Sequence, residues 1–545
     1  MAKYKLKKNQ TLGALSAESD LILSKVFVDT GYLTKLLDTN DPTFLVLGRT
    51  GSGKTAMINQ IIAQADIKSI LDPDELSMQY LHSNAIVKLI SDWGVHLDIF
   101  FKYLWRHICI LELIKLRYSK AKDGKFNIYN LFNPDEHKTA KMALSYLDIH
   151  GTEYWVTADT HIKNFTTELV SKLSADTKVG LKLGFKSGNF ETAVGIAKEE
   201  IIKQGVDAEI IERTQAIVND YQMTALNELL KRLSSYSFND PKKKYFLVID
   251  DLDKNWMPND MFYLTLIKSL LHTVKEINSK LKGVKIIVAL RTNIFYRVFK
   301  KSSISEPQRE KWNDVLVDLK WDAFELSELV NNRLSELFRE QYTTEPPTLE
   351  KIMPSKTKKN QLNAIEYLFS RTFLRPRDVI DFFNTIIYRQ NGDLLLTWSK
   401  IFDAEGEYSK RRLDSILDEW KDSYFGLSAT FPLLKKLGAT FKKEDISKED
   451  IEDIITYKDC DKCKWLQNLQ TDYLENKLLF YDVFHEVINA LYISGMIGLK
   501  RSANDKVVYS YERPINIIEL SQDEIEVFSF HTHKMLWRAL GISEN

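Results

Sequence analysis

Residues 48–55 read Gly48-Arg49-Thr50-Gly51-Ser52-Gly53-Lys54-Thr55. The spacing G-x-x-x-x-G-K-[ST] is that of a loop that wraps the phosphates of a nucleotide. The glycines allow the tight turns that bring backbone N–H groups onto phosphate oxygens. Lys54 is placed to reach the β- and γ-phosphates, and the Thr55 hydroxyl is placed to hold Mg²⁺. We therefore predict that all eight residues bind phosphate, with Thr55 also a metal ligand.

The residues on either side of this loop favour a strand before it and a helix after it. Thr43-Phe44-Leu45-Val46-Leu47 is a short apolar run, which is typical of a buried parallel strand. Residues 56–62 have the pattern of a helix, whose N-terminus would face the phosphates. This order predicts an α/β protein with a P-loop NTPase parallel sheet core, doubly wound, with its ligand at the C-terminal edge of the sheet.

A second apolar run, residues 245–249, ends in two carboxylates, Asp250 and Asp251. In P-loop NTPases an Asp at the end of such a strand holds Mg²⁺ together with the loop hydroxyl, and we assign Asp250 to that role. Asp251 stands where hydrolysing relatives place the acid that orients or deprotonates the attacking water. The alternative for Asp251 is a loop carboxylate or a helix N-cap.

Two arginines are candidate sensors of the γ-phosphate. Arg291 follows a further apolar run, and polar residues at the end of such an additional strand sense the γ-phosphate in some NTPases. Arg377 follows Pro376, which suits the first turn of a helix, so its side chain would project from a helix start. The alternative for both arginines is a surface ion pair, with Asp378 or Asp381 in the case of Arg377.

The long separation of the phosphate loop from the acidic strand predicts a large insertion between them. The predicted organisation, in chain order, is an N-terminal arm with the phosphate-loop part of the core (1–60), a mainly helical insertion (61–239), the remainder of the core (240–330), a helical lid (331–400) and a C-terminal helical and winged-helix-like domain (401–545).

The winged-helix prediction rests on a helix followed by a hairpin. Residues 484–492 have a helical pattern, Gly495 turns the chain, and residues 497–500 and 506–511 read as two paired strands. The predicted helix contains no Lys or Arg, whereas contacts to a phosphate backbone need cations. Contact with a protein therefore stands beside contact with DNA as the role of this part.

Composition sets the remaining limits. The chain has 545 residues, and Lys+Arg and Asp+Glu are both 75, so no net charge attracts it to nucleic acid or membrane. Three cysteines suit a reducing compartment, and we expect the cytoplasm. The most apolar long run, residues 97–116, is interrupted by Asp98, Lys102 and Arg106, which indicates a buried helix rather than a membrane span.

Taken together, these motifs resemble a class of bacterial P-loop ATPases related to the KAP and STAND branches of the AAA+ assemblage. The resemblance rests on the loop at residues 48–55, on residues 248–254 and 287–292, and on Arg375-Pro376-Arg377-Asp378. It implies ATP and Mg²⁺ as ligands, ATP hydrolysis, and an oligomerising switch with copies of itself or with a partner protein. Asp251 replaces the usual Glu. Some relatives lie in mobile elements and defence loci, which implies a role in phage defence.

Two other functions stay open from the sequence. One is a non-hydrolysing scaffold that binds ATP in order to assemble with a partner. The other is a DNA-associated ATPase that acts through the winged helix. Turnover by the purified protein separates the first from an ATPase, and salt-dependent DNA binding identifies the second.

Overall fold

The computed structural model describes residues 6–7, 9–71, 97–122, 133–150, 226–240, 242–250, 252, 261–300, 310–339, 347–356, 361–389, 396–457, 463–513 and 517–543. The chain divides into two compact units. The sheet unit comprises Gly31–Gly48 and Met57–Asp318. The helical unit comprises Met1–Thr30, Arg49–Ala56 and Leu319–Asn545. The phosphate loop after Gly48 thus belongs to the helical unit, although the strand before it belongs to the sheet unit.

The described elements are numbered along the chain. The strands are β1 (Leu45–Gly48), β2 (Ile67–Leu71), β3 (Tyr245–Ile249), β4 (Val284–Arg291), β5 (Leu316–Asp318), β6 (Thr440–Phe441), β7 (Ile497–Lys500) and β8 (Ser529–Thr532). The helices are α1 (Leu23–Val26), α2 (Leu33–Leu37), α3 (Lys54–Gln64), α4 (Leu97–Lys122), α5 (Pro134–His150), α6 (Met261–Lys280), α7 (Thr292–Lys300), α8 (Glu310–Asn313), α9 (Ala323–Arg339), α10 (Leu349–Ile352), α11 (Ala364–Ser370), α12 (Pro376–Arg389), α13 (Trp398–Tyr424), α14 (Phe431–Leu437), α15 (Lys448–Ile455), α16 (Lys464–Leu474), α17 (Phe480–Ile493), α18 (Gln522–Glu526) and α19 (Trp537–Leu540).

A five-stranded parallel sheet in the order β2-β3-β4-β1-β5 forms the centre of the sheet unit. Every residue of β1 and β3 is buried, as expected of parallel strands covered on both faces. The strand β4 lies between β1 and β3, so an additional strand separates the loop strand from the acidic strand. The predicted α/β class with a parallel sheet is confirmed, and the sheet is consistent with a P-loop NTPase core.

The apolar run at residues 97–116 forms part of α4, which packs along α6 in the sheet unit. Trp105 is fully buried, and its indole N–H donates to the carbonyl of Leu266 at 3.0 Å. The buried Arg106 pairs with Glu276 at 2.6 Å, which compensates a charge within an otherwise apolar contact. Among the helices that the structure describes, none combines the length and the apolar character that crossing a membrane requires.

In the helical unit, α12 and α13 pack against each other around a core of aromatic and aliphatic side chains. Phe382 of α12 stacks on Tyr408 of α13 with ring centroids 4.5 Å apart. Pro376 is the first residue of α12, as the sequence predicted. An antiparallel sheet in the order β6-β8-β7 lies in the same unit, with α17 immediately before β7.

The predicted pairing of residues 497–500 with residues 506–511 is wrong for most of its length. Instead, β7 pairs residue by residue with β8, and the nearer segment contributes one bridge, Leu499 to Val508. The segment cannot continue as a strand because it turns at once. The carboxylate of Glu512 accepts from the backbone N–H of Tyr509 at 2.9 Å, and the Glu512 N–H donates back to the Tyr509 carbonyl at 3.0 Å.

Candidate nucleotide-binding site

The phosphate loop joins the end of β1 to the start of α3, at Lys54. Gly51 and Gly53 have φ angles of +78° and +99°, which side chains rarely adopt. A Cβ atom on Gly51 would also lie 2.8 Å from the Cβ of Arg377. The motif glycines at these two positions are therefore required both by backbone conformation and, at Gly51, by close packing.

The carbonyl oxygen of Arg49 accepts two hydrogen bonds within the loop. The ammonium of Lys54 donates to it at 3.2 Å, and the N–H of Ser52 donates to it at 3.1 Å. Thr55 follows Lys54 in the first turn of α3. The loop thus brings the predicted phosphate and metal ligands to a helix N-terminus, where backbone N–H groups and the helix dipole attract anions.

The next three carbonyl oxygens of the loop each accept from a residue far along the chain. The Thr50 oxygen accepts from Nη1 of Arg375 at 2.6 Å. The Gly51 oxygen accepts from the backbone N–H of Arg377 at 3.3 Å. The Ser52 oxygen accepts from the indole Nε1 of Trp321 at 2.8 Å. We call these three donors, Trp321, Arg375 and Arg377, the carbonyl clamp.

Arg375 is itself held by buried carboxylates. Its Nε donates to Asp378 at 2.9 Å and its Nη1 to Glu419 at 3.2 Å. Asp378 is fully buried and also accepts from Arg412 at 2.9 Å. Burial opposes ionisation of Asp378, but Arg375 and Arg412 outweigh it and hold the pKa of Asp378 below its usual value. These carboxylates therefore hold the Arg375 guanidinium in a fixed direction, with its Nη1 on the Thr50 carbonyl oxygen of the loop.

The side chain of Arg377, the second residue of α12, makes a hydrogen bond outside the phosphate loop. Its Nε donates to the carbonyl of Leu15 at 3.1 Å. The ion-pair alternative for Arg377 is not formed among the described residues, because Asp378 pairs with other arginines and Asp381 pairs with Arg411 at 2.9 Å. Burial and the neighbouring Arg375 lower the pKa of Arg377. Its role toward a γ-phosphate stays a prediction.

The side chain of Arg49 lies among aromatic rings. Its guanidinium carbon is 4.7 Å from the centre of the Phe373 ring and 5.0 Å from that of Tyr511. Both terminal nitrogens of Arg49 are buried and have no hydrogen-bond acceptor among the described residues. The Tyr511 hydroxyl lies 3.1 Å from Nε2 of His533. Burial and the nearby Arg49 lower the pKa of His533 to about 3, so this ring is neutral at ordinary pH.

The remaining predicted site residues lie in the sheet unit. Gly48 is paired in register with Arg291, the last residue of β4. Ile249, the last residue of β3, is paired with Val288, and Asp250 follows it. Because β1, β3 and β4 are parallel, Arg291 and Asp250 lie at the same edge of the sheet as Gly48. Asp251 lies outside the described residues, and its role stays a prediction.

Sequence reasoning missed Trp321 and the loop contact of Arg375. Trp321 follows β5 and has no local motif, and its partner Ser52 is 269 residues away along the chain. Arg375 lies in the Arg-Pro-Arg-Asp motif that drew attention to Arg377. The Arg-Pro-Arg-Asp motif was therefore the signal that could have identified Arg375. It suggested a contact with phosphate, whereas Arg375 bonds the backbone of the loop.

The chain is similar to known proteins in both sequence and structure. Residues 324–417 match the family model of the FunZ-associated C-terminal helical domain. This segment runs from α9 into α13 and contains Arg375 and Arg377.

Among curated proteins, the chain is 21% identical over 447 residues to the putative transposon gamma-delta 80.3 kDa protein of Escherichia coli (strain K12). The match covers 80% of this chain and 54% of that protein, so the chain spans about half the length of this relative. Among solved structures, it is similar to a Walker-type ATPase of Pyrococcus abyssi, with 12% identity, a TM-score of 0.33, and coverage of 93% of this chain and 98% of the other.

Proposed function

We propose that this chain is a Mg²⁺-dependent P-loop ATPase that binds and hydrolyses ATP and acts as a nucleotide-driven switch. The observation that carries the proposal is the loop itself. Gly51 and Gly53 have positive φ, and the loop runs from the end of a parallel strand to a helix that begins at Lys54. That combination of strand, turned backbone and helix start is suited to phosphate, and Thr55 adds a hydroxyl for the metal.

Hydrolysis in this proposal needs three further roles. Asp250, at the end of β3, holds Mg²⁺ together with Thr55, and Asp251 prepares the attacking water. Arg291, at the end of the inserted strand β4, and Arg377, next to Gly51, contact the γ-phosphate. The support for these assignments is the shared sheet edge of Asp250 and Arg291 and the contact of Arg377 with the loop.

The biological setting is part of the same proposal. The resemblance to the KAP and STAND branches supports an oligomerising cytoplasmic switch with a role in phage defence. The name of the E. coli relative refers to a transposon, which supports an association with mobile elements.

A DNA-associated ATPase is the second candidate function. The order of α14, β6, α15, α16, α17, β7 and β8, with β8 between the other two strands, supports a winged-helix-like domain. Lys500 ends β7, and the exposed Arg501 and Lys506 follow it, so cations lie on the wing rather than on α17. Binding of duplex DNA that weakens steeply with added salt identifies this function, and binding that is absent at low salt excludes it.

Phosphate release by the purified chain tests the main proposal. We expect turnover with Mg-ATP and its loss when EDTA removes the metal, because the metal neutralises charge that develops on the phosphates. ATP binding without turnover would contradict the ATPase proposal and favour the non-hydrolysing scaffold. A chain that binds no ATP would refute both.

Replacing Arg377 with alanine tests the switch. The backbone N–H that bonds Gly51 is retained, so we expect ADP affinity to stay within about twofold, whereas the preference for ATP over ADP falls about tenfold with the lost charged hydrogen bond. Calorimetric titration with ADP and a non-hydrolysable ATP analogue measures both. Arg411→Ala is the matched control, since this arginine lies in the same unit and bonds Asp381 rather than the loop. An unchanged preference in Arg377→Ala would remove Arg377 from γ-phosphate sensing.

A further inference from the structure

The three donors of the carbonyl clamp bind three consecutive peptide units of the phosphate loop. Each donates a hydrogen bond to a carbonyl oxygen, that of Thr50, Gly51 or Ser52. All peptide bonds of the described chain are trans, so the N–H of each unit points away from its carbonyl oxygen. Fixing the oxygens of Thr50 and Ser52 therefore also fixes the directions of the N–H groups of Gly51 and Gly53.

The two glycines make this control necessary. Glycine adopts positive and negative φ with nearly equal ease, so a glycine-rich loop can rotate its peptide units at little cost. Rotation of the unit after Ser52 would take the carbonyl oxygen away from the indole of Trp321 and break a 2.8 Å hydrogen bond. Rotation of the unit after Thr50 would break the 2.6 Å bond from Arg375, whose direction is set by Asp378 and Glu419. Both rotations would leave a polar group without its partner, which is unfavourable.

We propose that Trp321 and Arg375 are positioning residues for nucleotide binding, which act through the carbonyl oxygens of the phosphate loop and not through the nucleotide. The inference rests on the proposed function, since it assigns how the same site is prepared for phosphate. The clamp holds the loop in the conformation whose N–H groups receive the α- and β-phosphates, so less of the binding free energy is lost in ordering the loop. Arg375 lies in the segment 324–417, so this segment contributes to holding the loop in that conformation.

The clamp makes a different prediction from a γ-phosphate contact. Because the loop N–H groups bind the α- and β-phosphates, loss of a clamp donor weakens ADP and ATP by the same factor. Loss of a γ-phosphate contact weakens ATP alone. The ratio of the ADP and ATP affinities therefore separates the Trp321 indole from the Arg377 side chain, since the clamp donor of Arg377 is its backbone N–H.

Trp321→Phe is the first variant, because it keeps the aromatic ring and removes only the N–H donor. We expect the dissociation constants for Mg-ADP and for a non-hydrolysable Mg-ATP analogue to rise together by about three- to tenfold, the usual effect of one hydrogen bond. Titration calorimetry on the full chain measures both. Trp398→Phe is the matched control: its indole is also partly buried, lies in the same unit, and donates to the Ser355 carbonyl at 2.9 Å. The control is expected to bind as wild type.

Thermal unfolding without nucleotide accompanies the titrations and verifies that each variant is folded. Arg375→Lys is the second variant, since lysine keeps a positive charge beside Asp378 and Glu419 but lacks the planar fork that reaches Thr50 as well. Unchanged ADP affinity in a folded Trp321→Phe, or an equal loss in Trp398→Phe, would overturn the proposal. So would a loss confined to the ATP analogue. A wild-type chain that binds neither nucleotide would instead refute the proposed function.

Discussion

Replacing Lys54 with alanine is expected to lower the affinity for Mg-ATP on the order of 100-fold, because a charged hydrogen-bond donor to the phosphates is lost from a site designed around them. The ammonium already lies at the loop, 3.2 Å from the Arg49 carbonyl oxygen, at the first residue of α3. Calorimetric titration of the folded variant measures the loss, and phosphate release is expected to disappear with it.

Lys68→Ala is the matched control for Lys54→Ala. The ammonium of Lys68 also donates to a backbone carbonyl, that of Ile62, but it lies outside the phosphate loop. We expect this variant to bind Mg-ATP as wild type does. Wild-type affinity in Lys54→Ala, or an equal loss in both variants, would show that the loop is not the nucleotide site.

The second large effect is expected at the acidic residues that follow β3. Asp251→Asn should keep Mg-ATP binding and lower turnover about 100-fold or more, as for removal of a general base. Asp250→Asn should lose turnover and also the dependence of binding on Mg²⁺, because a metal ligand is removed. Titrations with and without Mg²⁺, together with phosphate release, distinguish the two variants.

Asp318→Asn serves as the control for this pair, since Asp318 also ends a strand of the same parallel sheet and has no assigned role. We expect its turnover to match that of wild type. Equal turnover in wild type and Asp251→Asn would remove Asp251 from the mechanism. Unchanged Mg²⁺ dependence in Asp250→Asn would do the same for Asp250.

The sequence predicted the parts of this structure that local chemistry determines. The predicted strands before the loop, before Asp250 and before Arg291 are all present in one parallel sheet, because continuous apolar runs of this length are stable only when buried on both faces. The start of α12 at Pro376 followed from the fixed φ of proline, which suits the first helical turn.

The parts that failed depend on which distant segments meet. Residues 67–71, which form β2, are not a continuous apolar run, so their pattern did not indicate an edge strand of a parallel sheet. The strand β7 was assigned to the nearest following segment, but β8 provides the longer pairing because Glu512 turns the nearer chain away. The indole of Trp321 could not be assigned to Ser52, since nothing local to either residue specifies a contact between them.

The division of the chain has a consequence for the order of events during synthesis. A ribosome that has completed Asp318 has made every residue of the sheet unit and the whole phosphate motif, but neither Trp321, Arg375 nor Arg377. At about 5–20 residues per second, roughly 3–12 seconds pass before Arg377 is added. During that interval the carbonyl clamp on the nascent loop is incomplete, because Arg375 and Arg377 are added only at its end. The newborn protein therefore acquires the complete carbonyl clamp on its phosphate loop only after Arg377 has been translated.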